Sequence, residues 1–318
     1  MRVAVVDIGT NSTRLLIADV DKHSGALEVL TRDSRVTRLG EGVDASGSLA
    51  EAAIDRVEQV LSTYREQIEK HDCEANMAVL TSAVRDAANG ADFAARVRNH
   101  YKLDARVLSG DEEAQLTFLG AMSGHDGAPT ETDADPEADV ATVVIDIGGG
   151  STEFVVGRAK TAGFHTSLHV GVVRMSERHI HSDPPEPNEL QELAADVREN
   201  FEDGLPQHER EAVKRAIAVA GTATSAAAID QELDPYDPER VNGYTLTLGT
   251  VEMLLARLAD MDEEKRKKVV GLHPDRAPTI VAGMIVLSEA MRAFELDQAE
   301  VSEHDILYGG ALRLAGVS

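Results

Sequence analysis

The sequence is short of the features that build several kinds of protein. Its single cysteine, Cys73, excludes an intramolecular disulfide and a cysteine-built metal site, and a buried thiol is its expected state. Cations are scarce: 31 lysines and arginines stand against 56 acids, a net charge of −25. That balance argues against a nucleic-acid binder. It weighs only partly against a polyanionic substrate, because a bound metal, loop amides and a few arginines set a local potential of their own. A well-solvated surface, or a salty cell interior, accounts for the acidity. No apolar stretch reaches membrane-spanning length, and the first apolar run holds an aspartate, so it reads as a strand and not as a signal peptide. The expectation is a soluble, cytoplasmic protein with no membrane and no nucleic-acid partner. Its 318 residues, 42% hydrophobic, suffice for two domains with cores.

What is present is one pattern used twice. Val5-Val6-Asp7-Ile8-Gly9-Thr10-Asn11-Ser12-Thr13 leads into Leu15-Leu16-Ile17, and Val144-Ile145-Asp146-Ile147-Gly148-Gly149-Gly150-Ser151-Thr152 leads into Phe154-Val155-Val156. Each copy is a β-branched run closed by an aspartate, a Gly/Ser/Thr turn and a second apolar run, which is a hairpin. Glycines let backbone approach a ligand, successive N–H groups form an anion nest, and hydroxyls add donors. An aspartate at the strand end suits Mg²⁺. Ordinary hairpin turns would explain the glycines but not the matched aspartate and hydroxyls. Two copies in one register indicate a duplicated domain whose phosphate loops could face each other.

Between the loops, strands alternate with helices, as in an α/β protein. Val29-Leu30 and Val36-Thr37 fit a strand pair. Ser48 and Glu51 have capping-box spacing before a helical apolar repeat, and Met77 to Leu80 reads as a buried strand. Residues 124–139 are acidic and aperiodic, and read as a loop. Residues 168–173 read as a strand, 189–201 as a helix, 216–220 as a buried strand, and 251–258, 280–294 and 307–314 as helices.

Other residues carry a chemical reading beside a plainer one. Ser109-x-x-Glu112 is itself a capping box, which explains Glu112 but leaves Glu113 without an assigned job; a carboxylate there could orient and deprotonate water. Arg85, after a strand and a Thr-Ser turn, is either an exposed arginine or a bidentate phosphate contact. Gly221-Thr222 offers an anion site at a helix N-terminus, or equally a threonine N-cap. Glu153 lies on the same hairpin face as Ser151 by period-two alternation and suits a second metal contact. His165, His169, His179 and His181 lack the spacing of a helical zinc site and read as surface histidines.

Asp7-Ile8-Gly9-Thr10-Asn11-Ser12, Thr81-Ser82-Ala83-Val84-Arg85, Ser109-Gly110-Asp111-Glu112-Glu113-Ala114, Asp146 through Glu153, and Gly221-Thr222 occur in the order of the Ppx/GppA phosphatases, which this sequence resembles over nearly its whole length. These are exopolyphosphatases and guanosine pentaphosphate phosphohydrolases. The resemblance implies an α/β, duplicated ribonuclease-H-like fold of the actin, sugar-kinase and heat-shock-chaperone superfamily, with two domains around a cleft. The expected domains are 1–124, carrying loop one and the catalytic glutamate, an acidic loop at 125–138, and 139–318, whose last helix could pack back on the first domain. The resemblance makes Glu113 the base that activates water, and Asp146 and Glu153 carboxylates for Mg²⁺ (or Mn²⁺), with Asp7 assisting. Arg85, Gly9, Thr10, Asn11, Ser12, Gly148, Gly149, Gly150, Ser151, Thr152, Gly221 and Thr222 would hold the phosphates.

The activity implied is removal of terminal orthophosphate from inorganic polyphosphate, with short chains preferred. Guanosine pentaphosphate, the stringent-response substrate, is the alternative. An ATP-dependent sugar kinase or actin-like ATPase is a further rival, against which Glu113 argues, and a nucleotide-binding regulator without turnover is another. A homodimer would be in keeping with the family. There are two departures. The sequence stops where longer members carry a helical domain, and the family's Leu-Arg-Glu-Gly element is here Asp305-Ile306-Leu307-Tyr308-Gly309-Gly310, so no arginine role carries over from it.

Overall fold

The computed structural model describes residues 1–123, 140–158 and 161–317. They form two compact units, Met1–Ser123 together with His304–Ser318, and Gly124–Glu303. The acidic 125–138 segment lies outside the described residues, and the last fifteen residues, His304–Ser318, group with unit 1.

Unit 1 runs β1 (Arg2–Ile8), β2 (Ser12–Val20), β3 (Leu27–Val36), α1 (Val43–Ser46), α2 (Glu51–Lys70), β4 (Ala75–Leu80), α3 (Ser82–Asp86), α4 (Gly90–Tyr101), β5 (Ala105–Val107) and α5 (Gly110–Ser123). Unit 2 runs β6 (Thr142–Ile147), β7 (Thr152–Arg158), β8 (Thr161–Leu168), α6 (Val172–His179), α7 (Pro187–Gly204), α8 (Gln207–Ala212), β9 (Arg215–Val219), α9 (Ala220–Asp230), α10 (Pro238–Val241), β10 (Thr245–Thr247), α11 (Leu248–Ala259) and α12 (Glu263–Arg266). It ends with a 3₁₀ turn (Pro274–Arg276), α13 (Ile280–Ala293) and β11 (Gln298–Val301), after which α14 (Ile306–Ala315) closes unit 1.

The two sheets repeat one plan. The first has the order β3-β2-β1-β4-β5, the second β10-β11-β9-β6-β7-β8. In each, a three-strand antiparallel meander joins parallel strands through its first member. This is the duplicated ribonuclease-H-like arrangement, and it puts each Gly/Ser/Thr turn at the end of a central strand.

The unit 1 sheet is buried on both faces, as its unbroken apolar strands require. Ala4, Val6 and Ile8 face the core built with α2 and α4, while Val3, Val5, Leu16 and Ala18 face Leu307, Ala311 and Leu312 of α14. The Gly309-Gly310 pair that sets this chain apart from the family element has a packing reason. A Cβ on Gly309 would lie 1.8 Å from the Leu116 carbonyl oxygen of α5, and one on Gly310 2.9 Å from a Val5 methyl. One glycine admits a helix, the other the sheet.

Three local readings change. Residues 27–36 form a single strand paired along β2, because the pairing register carries through residues between the two apolar dipeptides. The N-cap of α2 is Ala50, and Ser48 makes no cap bond. Residues 168–173 are not one strand: β8 ends at Leu168, and Val172 opens α6. The helix starts there because Gly171 lies against loop two, where a Cβ would meet the Gly149 carbonyl oxygen at 2.3 Å.

Candidate active site

Both loops close with the same bond. The Gly9 N–H donates to the Ser12 carbonyl at 3.0 Å, and the Gly148 N–H to the Ser151 carbonyl at 3.0 Å. Loop carbonyls are then tied down by later chain. Thr10 O accepts from the Gly40 N–H and Asn11 O from the Thr37 and Arg38 N–H groups, while Gly148 O and Gly149 O accept from the first N–H groups of α6. The N–H groups of Thr10, Asn11, Gly149 and Gly150 donate to no acceptor among the described residues. Fixed carbonyls with unspent amides are what an anion nest needs. Thr10 is further held by its hydroxyl, 2.9 Å from that of Ser82.

Arg85 and Glu113 form an ion pair. Arg85 Nη1 donates to Glu113 Oε2 at 2.9 Å and to the Leu108 carbonyl at 3.0 Å. The Glu113 side chain is 9% exposed and that of Arg85 22%, so the pair is screened from bulk water on most sides yet reachable. Next to it, Glu112 and Ser109 complete the capping box: the Ser109 N–H donates to Glu112 Oε2 at 2.9 Å and the Glu112 N–H to Ser109 Oγ at 3.2 Å. The two neighbouring glutamates therefore part company, Glu112 into the helix cap and Glu113 to the arginine.

The aspartates that end β1 and β6 have opposite cross-strand neighbours. Asp7 is paired in register with Arg14, Asp146 with Glu153. Both Arg14 Nε and Nη2 donate to Asp7 Oδ2, at 2.9 and 2.6 Å. Arg14 Nη1 donates to Asp305, which also caps α14 by accepting from the Leu307 N–H at 3.0 Å. Burial pushes the Asp7 carboxyl above the ordinary aspartate range, opposed by Arg14. Burial would raise Asp305 too, but Arg14, Arg32 and the Leu307 N–H hold it below that range. Asp146 and Glu153 are instead two buried acids placed opposite each other, a like-charged pair that a cation would stabilise. Ser167 Oγ donates to Glu153 Oε1 at 2.6 Å, fixing that side chain.

Among the described residues no three His, Cys, Asp or Glu side chains converge as a metal cage. Mg²⁺ does not require one, since it is held by one or two carboxylates, water and substrate phosphate. The facing Asp146 and Glu153 fit that mode within unit 2; within unit 1 the buried Oδ1 of Asp7, which has no hydrogen-bond partner among the described residues, could serve as a ligand by itself.

Gly221 and Thr222 open α9, but neither is its N-cap; that is Val219, with no side-chain cap bond, so the threonine-cap reading fails. Ala220 has φ of 62°, a left-handed conformation that costs a non-glycine residue about 1–2 kcal/mol. Gly221 leaves room for Arg276, whose Nη1 lies 1.5 Å from where a Cβ would be. A guanidinium against the positive end of a helix is the wrong sign for the dipole and the right one for a bound anion.

Arg14, Asp305, Gly171 and Arg276 were not singled out from sequence. Only Arg14 left a signal there: it follows Asp7 by the spacing that separates Glu153 from Asp146.

Two ribonuclease-H-like units, each with a Gly/Ser/Thr turn at the end of a central strand, define the fold class to which this chain is assigned. The Ppx/GppA phosphatase family profile matches residues 16–313, and the chain belongs to that family. Exopolyphosphatase 2 of Mycobacterium tuberculosis is 38% identical over 99% of this chain and 99% of its own length. Among solved structures, the Aquifex aeolicus Ppx/GppA family member superposes with a TM-score of 0.79 at 30% identity, covering 99% of this chain and 97% of its own. An exopolyphosphatase from Cytophaga hutchinsonii gives 0.84 at 25% identity, covering 100% and 99%.

Proposed function

We propose that this protein is an exopolyphosphatase, hydrolysing the terminal phosphoanhydride of inorganic polyphosphate to orthophosphate. The observation that carries the reading is the Arg85–Glu113 pair at 2.9 Å, which joins a phosphate-binding fork to a general base. In the free protein the guanidinium occupies the carboxylate. A terminal phosphate competes for that fork, bidentately and with more charge. Glu113 is then released to accept a proton from water as the water oxygen bonds to the terminal phosphorus and the bridging P–O bond breaks. Within unit 1 the amides of Thr10 and Asn11 and the hydroxyl of Ser12, and within unit 2 the amides of Gly149 and Gly150 and the hydroxyl of Ser151, hold phosphate oxygens, and Arg276 at the α9 N-terminus adds a further cation; the Thr152 hydroxyl takes no such part, because it is buried and donates to the Val170 carbonyl. Within unit 2, Asp146 and Glu153 would hold Mg²⁺ or Mn²⁺; within unit 1, Asp7 would offer a carboxylate oxygen to such an ion. What such an ion supplies is charge offset on the leaving phosphate.

Parallel phosphate-release assays on polyphosphate, guanosine pentaphosphate and ATP test the substrate. Polyphosphate is expected to be fastest, and a preference for the pentaphosphate would reassign the protein within its family. Activity is expected to vanish in EDTA with the melting temperature unchanged, and Asp146→Asn should raise the Mg²⁺ concentration needed. Full turnover in excess chelator would remove the metal from the mechanism.

Short chains are expected to be preferred. A polyanion gains affinity from each cation that it meets, and a net charge of −25 leaves little for a long track. On a gel, chains of defined length should step down together as a ladder. Long chains vanishing to orthophosphate without intermediates would contradict this.

A further inference from the structure

We infer that Arg14 and Asp305 are positioning residues for Asp7, so that the start of α14 fixes the one carboxylate oxygen that loop one can offer a divalent cation. The inference rests on the reading, proposed above, that Asp7 takes part in cation binding.

The placement follows from the sheet. Asp7 shares its face with Val3 and Val5, and Arg14 shares its face with Leu16 and Ala18; this is the face that α14 covers. At the strand ends the apolar contact gives way to Asp7, Arg14 and Asp305, 5%, 15% and 2% exposed. Arg14 has a planar fork, and its use is asymmetric. Nε and Nη2 both go to Asp7 Oδ2, while Nη1 is drawn off to Asp305. Asp7 Oδ1 is thereby left buried with no hydrogen-bond partner among the described residues. A buried carboxylate oxygen without a donor is costly unless the working state supplies one. Were Asp305 absent, the same guanidinium could swing to span both Asp7 oxygens and remove that ligand.

Arg32, exposed, also acts on Asp305. Lysine in place of Arg14 would keep the charge and lose the fork that serves both acids at once.

The probe is Mn²⁺ alone, titrated into the intact protein and followed by electron paramagnetic resonance. Asp7→Asn defines the part of the binding that depends on Asp7. Asp305→Asn keeps the helix cap, since asparagine caps as well as aspartate, but removes the charge. It is expected to weaken that part of Mn²⁺ binding by about tenfold, the usual effect of losing a partner behind a metal ligand, with little change in melting temperature. Arg14→Lys should weaken it less than Asp305→Asn does. If Asp305→Asn and Arg14→Lys bind Mn²⁺ like wild type while Asp7→Asn does not, the positioning role is wrong and the cation reading of Asp7 stands. If Asp7→Asn also binds like wild type, the cation reading of Asp7 fails and takes the inference with it. A lowered melting temperature with unchanged Mn²⁺ affinity would mark a purely structural cluster.

Discussion

Glu113→Gln is expected to cut turnover by roughly 10²–10⁴-fold, the range for loss of a general base, and to leave the Michaelis constant nearly unchanged or lower. The amide keeps the shape of the side chain and can still accept from Arg85, but it cannot take a proton from water. Arg85, relieved of an ionic partner 2.9 Å away, becomes more available to phosphate, so binding should not suffer. Its neighbour is the control. Glu112→Gln touches only the capping box with Ser109 and is expected to cost at most about 1 kcal/mol of stability with turnover retained. The Glu112 carboxyl is held below its ordinary range by the Ser109 N–H. Its contribution is therefore present at neutral pH and is lost as pH falls through that lowered value. Steady-state kinetics with thermal melts on both variants decide the matter. A collapse of turnover in the Glu112 variant with the Glu113 variant active would mean that the base is misassigned.

Gly309→Ala is expected to destabilise the protein by about 1–3 kcal/mol or more, the penalty of overpacking, and to lower activity well away from any phosphate contact. Its Cβ would stand 1.8 Å from the Leu116 carbonyl oxygen, and across the same interface a Cβ on Gly120 would stand 1.9 Å from the Asp305 carbonyl oxygen. Helices α5 and α14 thus meet backbone to backbone, with no flexible side chain to yield. The methyl group must push α5 aside, and α5 carries Glu113. Gly249→Ala in α11 supplies the contrast. Its Cβ meets nothing nearer than the Thr247 hydroxyl at 3.9 Å, so alanine should stabilise by about 0.4–1 kcal/mol through the unfolded chain. Denaturant midpoints of the two variants should move in opposite directions; a neutral Gly309→Ala would disprove the close approach.

What could be read from the sequence was local. Glycine, hydroxyl and aspartate in fixed order specified both hairpins, because turn chemistry acts within a few residues. The Ser109–Glu112 capping box was legible for the same reason. The start of α6 is not legible because Val170 to Val173 is as apolar as any strand, and its helical state is set by Gly171 fitting under Gly149, 22 residues earlier in the chain. Ser48 has cap chemistry, yet the chain turns into the helix two residues later at Ala50. Asp305 and Arg276 were illegible because each draws its meaning from a residue far away, Arg14 in one case and Gly221 in the other. A second aspartate on an arginine leaves no periodicity to detect.

The return of the chain to unit 1 also sets an order of assembly. Unit 1 has all its strands by Val107, but the helix that covers Val3, Val5, Leu16 and Ala18 begins only at Ile306. About 180 residues separate Ser123 from His304, and ribosomes add roughly 5–20 residues per second. A nascent chain therefore carries that bare apolar sheet face for about 10–40 seconds, with Arg14 still lacking Asp305. Unit 2, uninterrupted in sequence, can complete its own core first. The early sheet is thus the part of the molecule most in need of shielding while it is being made, and synthesis in a cell-free system without chaperones should lose material there before losing it anywhere in unit 2.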